Sequence, residues 1–329
     1  MIKVNIFIRK KANNYHHSIE RFAKTLKKKN FKNLRINIIK CPLISKGLIN
    51  RLYLIFWAYF NQADINHILG DINYISIFLK KNKTINTFLD CRLVSEFTGI
   101  KKYLYKLFWF RLPIKNSSLV TYISNFTRLE IEKKIYKKDK FSYVIPVPLT
   151  KNLSFRVNKN IKKKVLIIGT SIHKNIKNMI LGLIGLNIEL TIIGDINNEI
   201  KNLLKLNKIN YKNFADIDDK KMVNVLIKND ILLMASTYEG FGMPIIEAQA
   251  SGLAVVTSNL EPMKSVAGKN AVYVDPKNSK DIKKKISKLL NNQNYFLKII
   301  NNGRKNSLKY SSKIINNRYQ KLYLKLSEI

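Results

Sequence analysis

The sequence predicts an α/β protein made of two doubly wound, Rossmann-like domains facing each other across a cleft. Three observations lead there. The chain has 329 residues, comfortable for two domains of roughly 150 each. Short β-branched runs alternate with amphipathic stretches along its length, the rhythm of βα units and parallel sheets. That rhythm breaks once, over "PVPLTKNLSFRVNKNIKKK" from Pro146 to Lys164, and then restarts. The break is polar, proline-bearing and without strong periodicity, so it reads as a linker. The domains expected are residues 1–150 and 151–310, with 311–329 as a C-terminal helix packing back toward the first domain.

In the first half, "KVNIFI", "RINIIK", "DINHI", "TINTFL", "LVTYI" and "SYVIPV" read as strands. "HSIERFAKTLKKK" reads as a helix, because Ile19, Phe22, Ala23 and Leu26 share one face and lysines surround the other. In the second half the strands are "KVLIIG", "ELTIIG", "NYKNF", "ILLMAS", "AVVTS" and "AVYVD". Helices fall at about 174–185, 197–207, 218–228, 244–251 and 278–290, and the basic end from about Tyr295 is helical. In such a fold, ligands bind at the carboxyl ends of the strands.

Composition narrows the function classes. The net charge is +39, and both halves share it: 30 basic and 8 acidic residues up to Lys151, 30 and 13 beyond. A basic excess of this size favours anionic partners, among them lipid headgroups, nucleic acid and sugar nucleotides. No apolar run approaches the roughly 18 residues of a spanning helix; the nearest, "LYLIFWAYF" at Leu52–Phe60, is too short. The amino terminus reads as a first strand rather than a secretory signal. Two cysteines, Cys41 and Cys91, make neither a disulfide framework nor a metal spacing. These features predict a cytoplasmic, reduced protein, peripheral on the inner membrane face.

The chemistry concentrates in "STYEGFGMPIIEAQASG", Ser236–Gly252. "ILLMAS" is a buried-strand pattern, the loop "TYEGFG" follows it, and Pro244 suits the first turn of a helix that Gly252 ends. Gly240 and Gly242 let backbone N–H groups approach a ligand, and the helix amino terminus favours an anion. Glu239 lies in the loop and Glu247 about one turn into the helix. A carboxylate accepts hydrogen bonds from hydroxyls and does not bind phosphate directly. The combination suggests a ligand with phosphate in the middle and hydroxyl-rich groups at both ends, as in a nucleotide sugar. Alternatively Glu239 caps a turn and Glu247 is a solvated helix residue.

The motif E-G-F-G-x-P-x-x-E-A resembles the signature of retaining glycosyltransferases of family 4, the group 1 type. "VLIIGTSIHKNIKNMILGLIG", "SNLEPMKSVAG" and "VYVDP" resemble that family's donor domain. "DINHILGDINYI", "TFLDC", "VTYISNFTRLEI" and "YVIPVPL" resemble its acceptor domain more loosely. The resemblance implies the GT-B fold, with an N-terminal acceptor domain, a C-terminal nucleotide-sugar domain and no cofactor or metal.

By the same resemblance Glu247 binds the nucleotide ribose, Glu239 lies beside the donor sugar, and the backbone of Gly240, Phe241 and Gly242 holds sugar hydroxyls and diphosphate. Side chains around Tyr238 and Phe241 set sugar selectivity. Lys174 pairs with the diphosphate and steadies the leaving group, with Glu239 forming the catalytic pair. Three positions depart from the family pattern. "GTSIH" lacks an arginine before Lys174, so either His173 or backbone N–H groups take its place or the diphosphate is held more loosely. Leu89-Asp90 replaces a His-Asp pair, and Lys264 stands where an acid is usual.

Four residues are candidates for the acceptor side: His16, His17, His67 and Asp90, with a core role equally open for His67. Residues 1–35 carry eleven basic residues and one acid, and Ile100–Pro113 mixes four basic residues with five aromatics. Both compositions suit an anionic membrane interface; for 100–113 a core-facing helix is the alternative. The partners expected are a UDP- or GDP-sugar, a saccharide or lipid-linked saccharide, and an anionic membrane. The function expected is retaining transfer of a hexose in cell-surface polysaccharide or lipopolysaccharide synthesis. Two alternatives are a catalytically degenerate sugar-nucleotide binder and a basic nucleic-acid-binding protein. The second lacks any stacking platform or binding motif, so nucleic acid is not expected as a partner.

Overall fold

A computed structural model describes residues 1–10, 18–28, 33–137, 141–157 and 160–328. The chain divides into two units, Met1–Thr150 with Ser312–Ile329 and Lys151–Ser311. Each is built on a six-stranded, wholly parallel sheet.

In the first unit the strands are β1 (Ile2–Ile8), β2 (Leu34–Lys40), β3 (Ile65–Leu69), β4 (Thr84–Phe88), β5 (Leu119–Tyr122) and β6 (Ser142–Val144), in spatial order β2-β1-β3-β4-β5-β6. The second holds β7 (Lys164–Ile168), β8 (Glu189–Ile193), β9 (Tyr211–Phe214), β10 (Ile231–Met234), β11 (Ala254–Ser258) and β12 (Val272–Val274), in order β12-β11-β10-β7-β8-β9. All twelve runs read as strands in the sequence are strands. Five inner strands, β3, β4, β5, β10 and β11, are buried along their whole length. That follows from helices covering both faces of a parallel sheet. Each sheet has one switch point, where strand order reverses: between β1 and β3 in the first, between β7 and β10 in the second. Loops leaving the carboxyl ends of these pairs diverge to opposite sides and open a crevice.

The terminal helix Ser312–Ser327 belongs to the first unit and buries Ile315, Tyr319, Leu322, Tyr323 and Leu326. His67 of β3 fastens it. Its Nδ1 lies 2.7 Å from the Tyr323 hydroxyl, its Nε2 lies 2.7 Å from Thr87 Oγ1, and its ring stacks on Tyr319. Asn316 adds a hydrogen bond to the Thr25 carbonyl at 2.9 Å.

The linker is less free than its composition suggests. Phe155, Val157 and Ile161 pack on the second core, and the Arg304 guanidinium lies 4.0 Å from the Phe155 ring centre. Gly252 has φ +91°, and a Cβ there would stand 2.0 Å from the Arg156 carbonyl oxygen. Glycine is therefore required both to end the helix before it and to let the linker pass.

Candidate active site

The Glu239–Glu247 segment sits at the second sheet's switch point. β10 is fully buried and ends at Met234; Ala235 and Ser236 continue it into the loop. Two buried hydroxyls hold this exit in place. Thr257 donates to the Met234 carbonyl at 2.9 Å and Ser258 donates to the Ser236 carbonyl. The helix Met243–Ser251 then begins at Gly242, whose φ of +98° only glycine adopts without strain.

Across the switch point, β7 ends at Ile168, and Gly169 and the turn Ile172–Lys174 follow. The two loops are clamped together: Thr237 donates its backbone N–H to the His173 carbonyl at 2.8 Å. Asn175, in the left-handed conformation at φ +61°, donates to the Ala235 carbonyl at 2.9 Å and to the Pro276 carbonyl at 2.7 Å. One asparagine thus ties together the chain following β7, β10 and β12. Lys174 reaches back from its turn across Gly169, where a Cβ would stand 3.0 Å from its Cε. Its ammonium donates to Glu239 Oε1 at 2.7 Å, with both side chains mostly buried.

Glu247 lies deeper, 4% exposed, and its Oε1 takes an ion pair from Lys151. Both side chains of that pair are 5% exposed. A buried pair of this kind is sensitive to losing one partner, because the other charge is then left in a medium that solvates it poorly. The pair fastens the first residue of the second unit to the motif helix. Buried Ser236 Oγ, at the exit of β10, has no hydrogen-bond partner in the structure.

The structure brings Glu239, Lys174 and the His173 backbone together at one switch point, followed directly by Gly240–Gly242. It corrects the reading of Glu247 as a solvated helix residue, and Glu239, for which a turn cap was the alternative, is likewise paired to a lysine and largely buried. The Phe241 ring also departs from expectation. It is 4% exposed and packs edge-on against Tyr310 at 5.6 Å, so the ring anchors the loop.

In the first unit, His67 is fully buried and satisfied on both ring nitrogens, and burial lowers its pKa to about 3. It is a core histidine and not an acceptor-side group. Asp90 is exposed after β4, where its Oδ1 accepts from the Arg92 backbone N–H at 3.0 Å. His16 and His17 lie outside the described residues. Among the described residues no three His, Cys, Asp or Glu side chains gather as a metal site. None of their helices is long and apolar enough to cross a membrane. The helix Gly99–Lys106 has no buried residue, but Phe110 and Pro113 further along are buried, so the core-facing reading of 100–113 holds for its second half.

Sequence reasoning missed Lys151, Gly169 and Asn175. The signals were small: a lysine closing the proline-bearing stretch, and a glycine ending "VLIIG" just before "HKN".

Residues 151–306 match the model of the family described as glycosyl transferases, group 1. The match takes in nearly all of the second unit and a little under half of the chain. A curated relative from Campylobacter jejuni, N,N'-diacetylbacillosaminyl-diphospho-undecaprenol alpha-1,3-N-acetylgalactosaminyltransferase, is 35% identical over 104 residues. That match covers 31% of this chain and 28% of the relative. Among solved structures, sucrose-phosphate synthase from Thermosynechococcus elongatus superposes with a TM-score of 0.80 at 12% identity, covering 99% of both chains. Anabaena Alr3699/HepE in complex with UDP and glucose gives 0.79 at 14% identity over 100% of both. At these identities the likeness is one of fold, the GT-B fold of glycosyltransferases.

Proposed function

We propose that this protein transfers a hexose from a UDP- or GDP-sugar to a lipid-linked saccharide, with retention at the anomeric carbon and without a metal ion. The observation that carries the reading is the Lys174–Glu239 pair at the switch point, beside the glycine loop that starts the motif helix. Lys174 takes the donor diphosphate and offsets the charge that develops on the leaving nucleoside diphosphate. Glu239, released from the lysine, accepts from donor-sugar hydroxyls, and its carboxylate fixes the line along which Lys174 reaches. The N–H groups of Gly240, Phe241 and Gly242 face the diphosphate and sugar at the positive end of the helix. Glu247 receives the ribose hydroxyls while Lys151 holds its carboxylate in place.

Three findings support the donor and acceptor classes. The family match covers nearly the whole second unit, and a structure of the same fold holds UDP and glucose. The Campylobacter relative acts on a diphospho-undecaprenol-linked sugar. The basic surface fits work at the inner face of a cytoplasmic membrane, in polysaccharide or lipopolysaccharide assembly.

The test is a thermal-shift panel of UDP-, GDP-, ADP- and CMP-sugars in EDTA. Stabilisation by one nucleotide family, lost in Glu247→Gln while the fold survives, is expected. A catalytically degenerate binder shifts with donor but yields no product when the donor is incubated with lipid-linked acceptors. No shift with any donor overturns the reading.

A further inference from the structure

The first unit carries a groove of about 780 Å³ that the donor chemistry does not use. That volume lies within the range of about 300–1,000 Å³ typical of small-molecule sites. One wall is the helix Leu48–Phe60, "LINRLYLIFWAYF", whose only charge is Arg51. The other is the helix beginning at Gly99, which passes through a π-helical turn at Leu107–Arg111. Such turns re-aim side chains and cluster at functional positions. Here Phe108 and Trp109 line the groove while Phe110 points into the core. Ile100 and Leu104 line the groove as well, although 72% and 43% exposed, facing Leu52 across it. A contiguous apolar surface left uncovered in this way is uncommon and marks a binding site.

The groove's polar end is built differently. Arg9 and Asp71 follow β1 and β3, the pair flanking this sheet's switch point, and form a 2.7 Å ion pair. The Arg51 guanidinium sits 4.8 Å from the Trp109 ring centre, and the Trp109 indole N–H donates to the Asp71 carbonyl. Lys10 and Lys101 complete a lining of four cations against one acid. The Nε atoms of Arg9 and Arg51 are buried and have no acceptor. Two donors short of acceptors at one end of an apolar trough call for an oxyanion there, met by a small swing of either guanidinium.

We propose that this groove binds an isoprenyl diphosphate, its first isoprene units between the two helices and its diphosphate on Arg9, Arg51 and Lys101. The proposal rests on the lipid-linked acceptor reading and gives that acceptor a place: the lipid is held as a single molecule on the first unit.

Trp109 reports on the groove, and the Trp57→Phe background leaves it the only tryptophan. Titration of that protein with farnesyl diphosphate is expected to change Trp109 emission saturably. Inorganic pyrophosphate and farnesol should each bind at least about tenfold more weakly, since each offers half of the ligand. Leu104→Glu, at an exposed position that folding tolerates, should abolish the response, and Arg51→Gln should weaken it about tenfold. Absence of a saturable change overturns the proposal, as does pyrophosphate binding as tightly as farnesyl diphosphate. Leu104→Glu protein that stops sedimenting with anionic vesicles yet keeps farnesyl diphosphate affinity also overturns it, making these helices a bilayer contact. Donor thermal shifts on the same samples separate the two readings. A donor shift without groove binding sinks only the groove, and groove binding without a donor shift supports it while sinking the transferase.

Discussion

The two units use one architecture and finish it in opposite ways. Of the large apolar side chains left exposed among the described residues, only Ile172, Leu206, Leu260 and Leu308 belong to the second unit; all the others lie in the first. At its switch point the second unit places two lysine–glutamate pairs in largely buried positions. The first places arginines with unsatisfied nitrogens and an apolar trough. Paired buried charges make a rigid, polar recess suited to a charged, hydroxyl-rich ligand. Uncovered apolar helices beside cations suit an amphiphile. The difference shows that a shared sheet dictates where a ligand sits, while the loops and covering helices decide its chemistry.

The comparison breaks most easily at Lys151–Glu247. Removing one partner of so buried a pair should destabilise the protein by about 3–5 kcal/mol. Lys151→Ala is therefore expected to lower the urea midpoint sharply, whereas the charge-free double variant Lys151→Met/Glu247→Gln recovers much of the loss. If the double variant is no more stable than the single, the pair is not what holds this recess.

Lys174→Ala sharpens the same side of the comparison. Its ammonium is the largest fixed positive charge at the proposed diphosphate position, so turnover should fall about 100- to 1,000-fold. Its effect on the melting temperature should be smaller than that of Lys151→Ala, because Lys174 and Glu239 retain some solvent contact at 17% and 11% exposure. Turnover within a few-fold of wild type would remove Lys174 from the leaving-group role.

Much of the fold and of the motif was legible beforehand, and the reasons the rest was not are physical. Parallel strands buried on both faces read as continuous β-branched runs, and so all twelve could be placed. The glutamate–glycine motif stood out because its spacing joins a loop to a helix start. His67 was ambiguous because what satisfies it, Tyr323, lies 256 residues away in sequence. The resemblance gave Phe241 its role, but the burial of its ring was not legible because its partner Tyr310 is distant in sequence. The helix Leu48–Phe60 shows the same limit. Composition so apolar implies burial, yet the structure buries only Leu54, Ile55 and Ala58. Local pattern carries strand and helix identity; it does not carry which neighbour covers a face.

On the first unit's side, His67 makes stability pH-dependent. Burial holds its folded pKa at about 3, against 6.5 for the free side chain. A depressed pKa contributes stability that is present above pH 6.5 and is lost as pH falls toward 3, because the unfolded chain takes up a proton that the folded chain refuses. The slope is about 1.4 kcal/mol per pH unit, or roughly 2 kcal/mol lost by pH 5. Urea melts at pH 7 and pH 5 should show that difference in wild type and a smaller one in His67→Gln. Equal pH slopes would mean that the imidazole is protonated in the folded state.

The smallest effect expected concerns the surface. In the helix Ser18–Lys28, Lys24, Lys27 and Lys28 are exposed and share one face, with Phe22, Ala23 and Leu26 buried opposite. Each such cation near an anionic bilayer contributes about 1 kcal/mol, screened by salt. Replacing the three with Gln should weaken sedimentation with anionic vesicles, most visibly at low ionic strength, and leave donor thermal shifts unchanged. If the triple variant sediments like wild type while Leu104→Glu does not, the first unit meets the membrane through its apolar helices. The electrostatic half of the comparison would then apply only to the arginines of the groove.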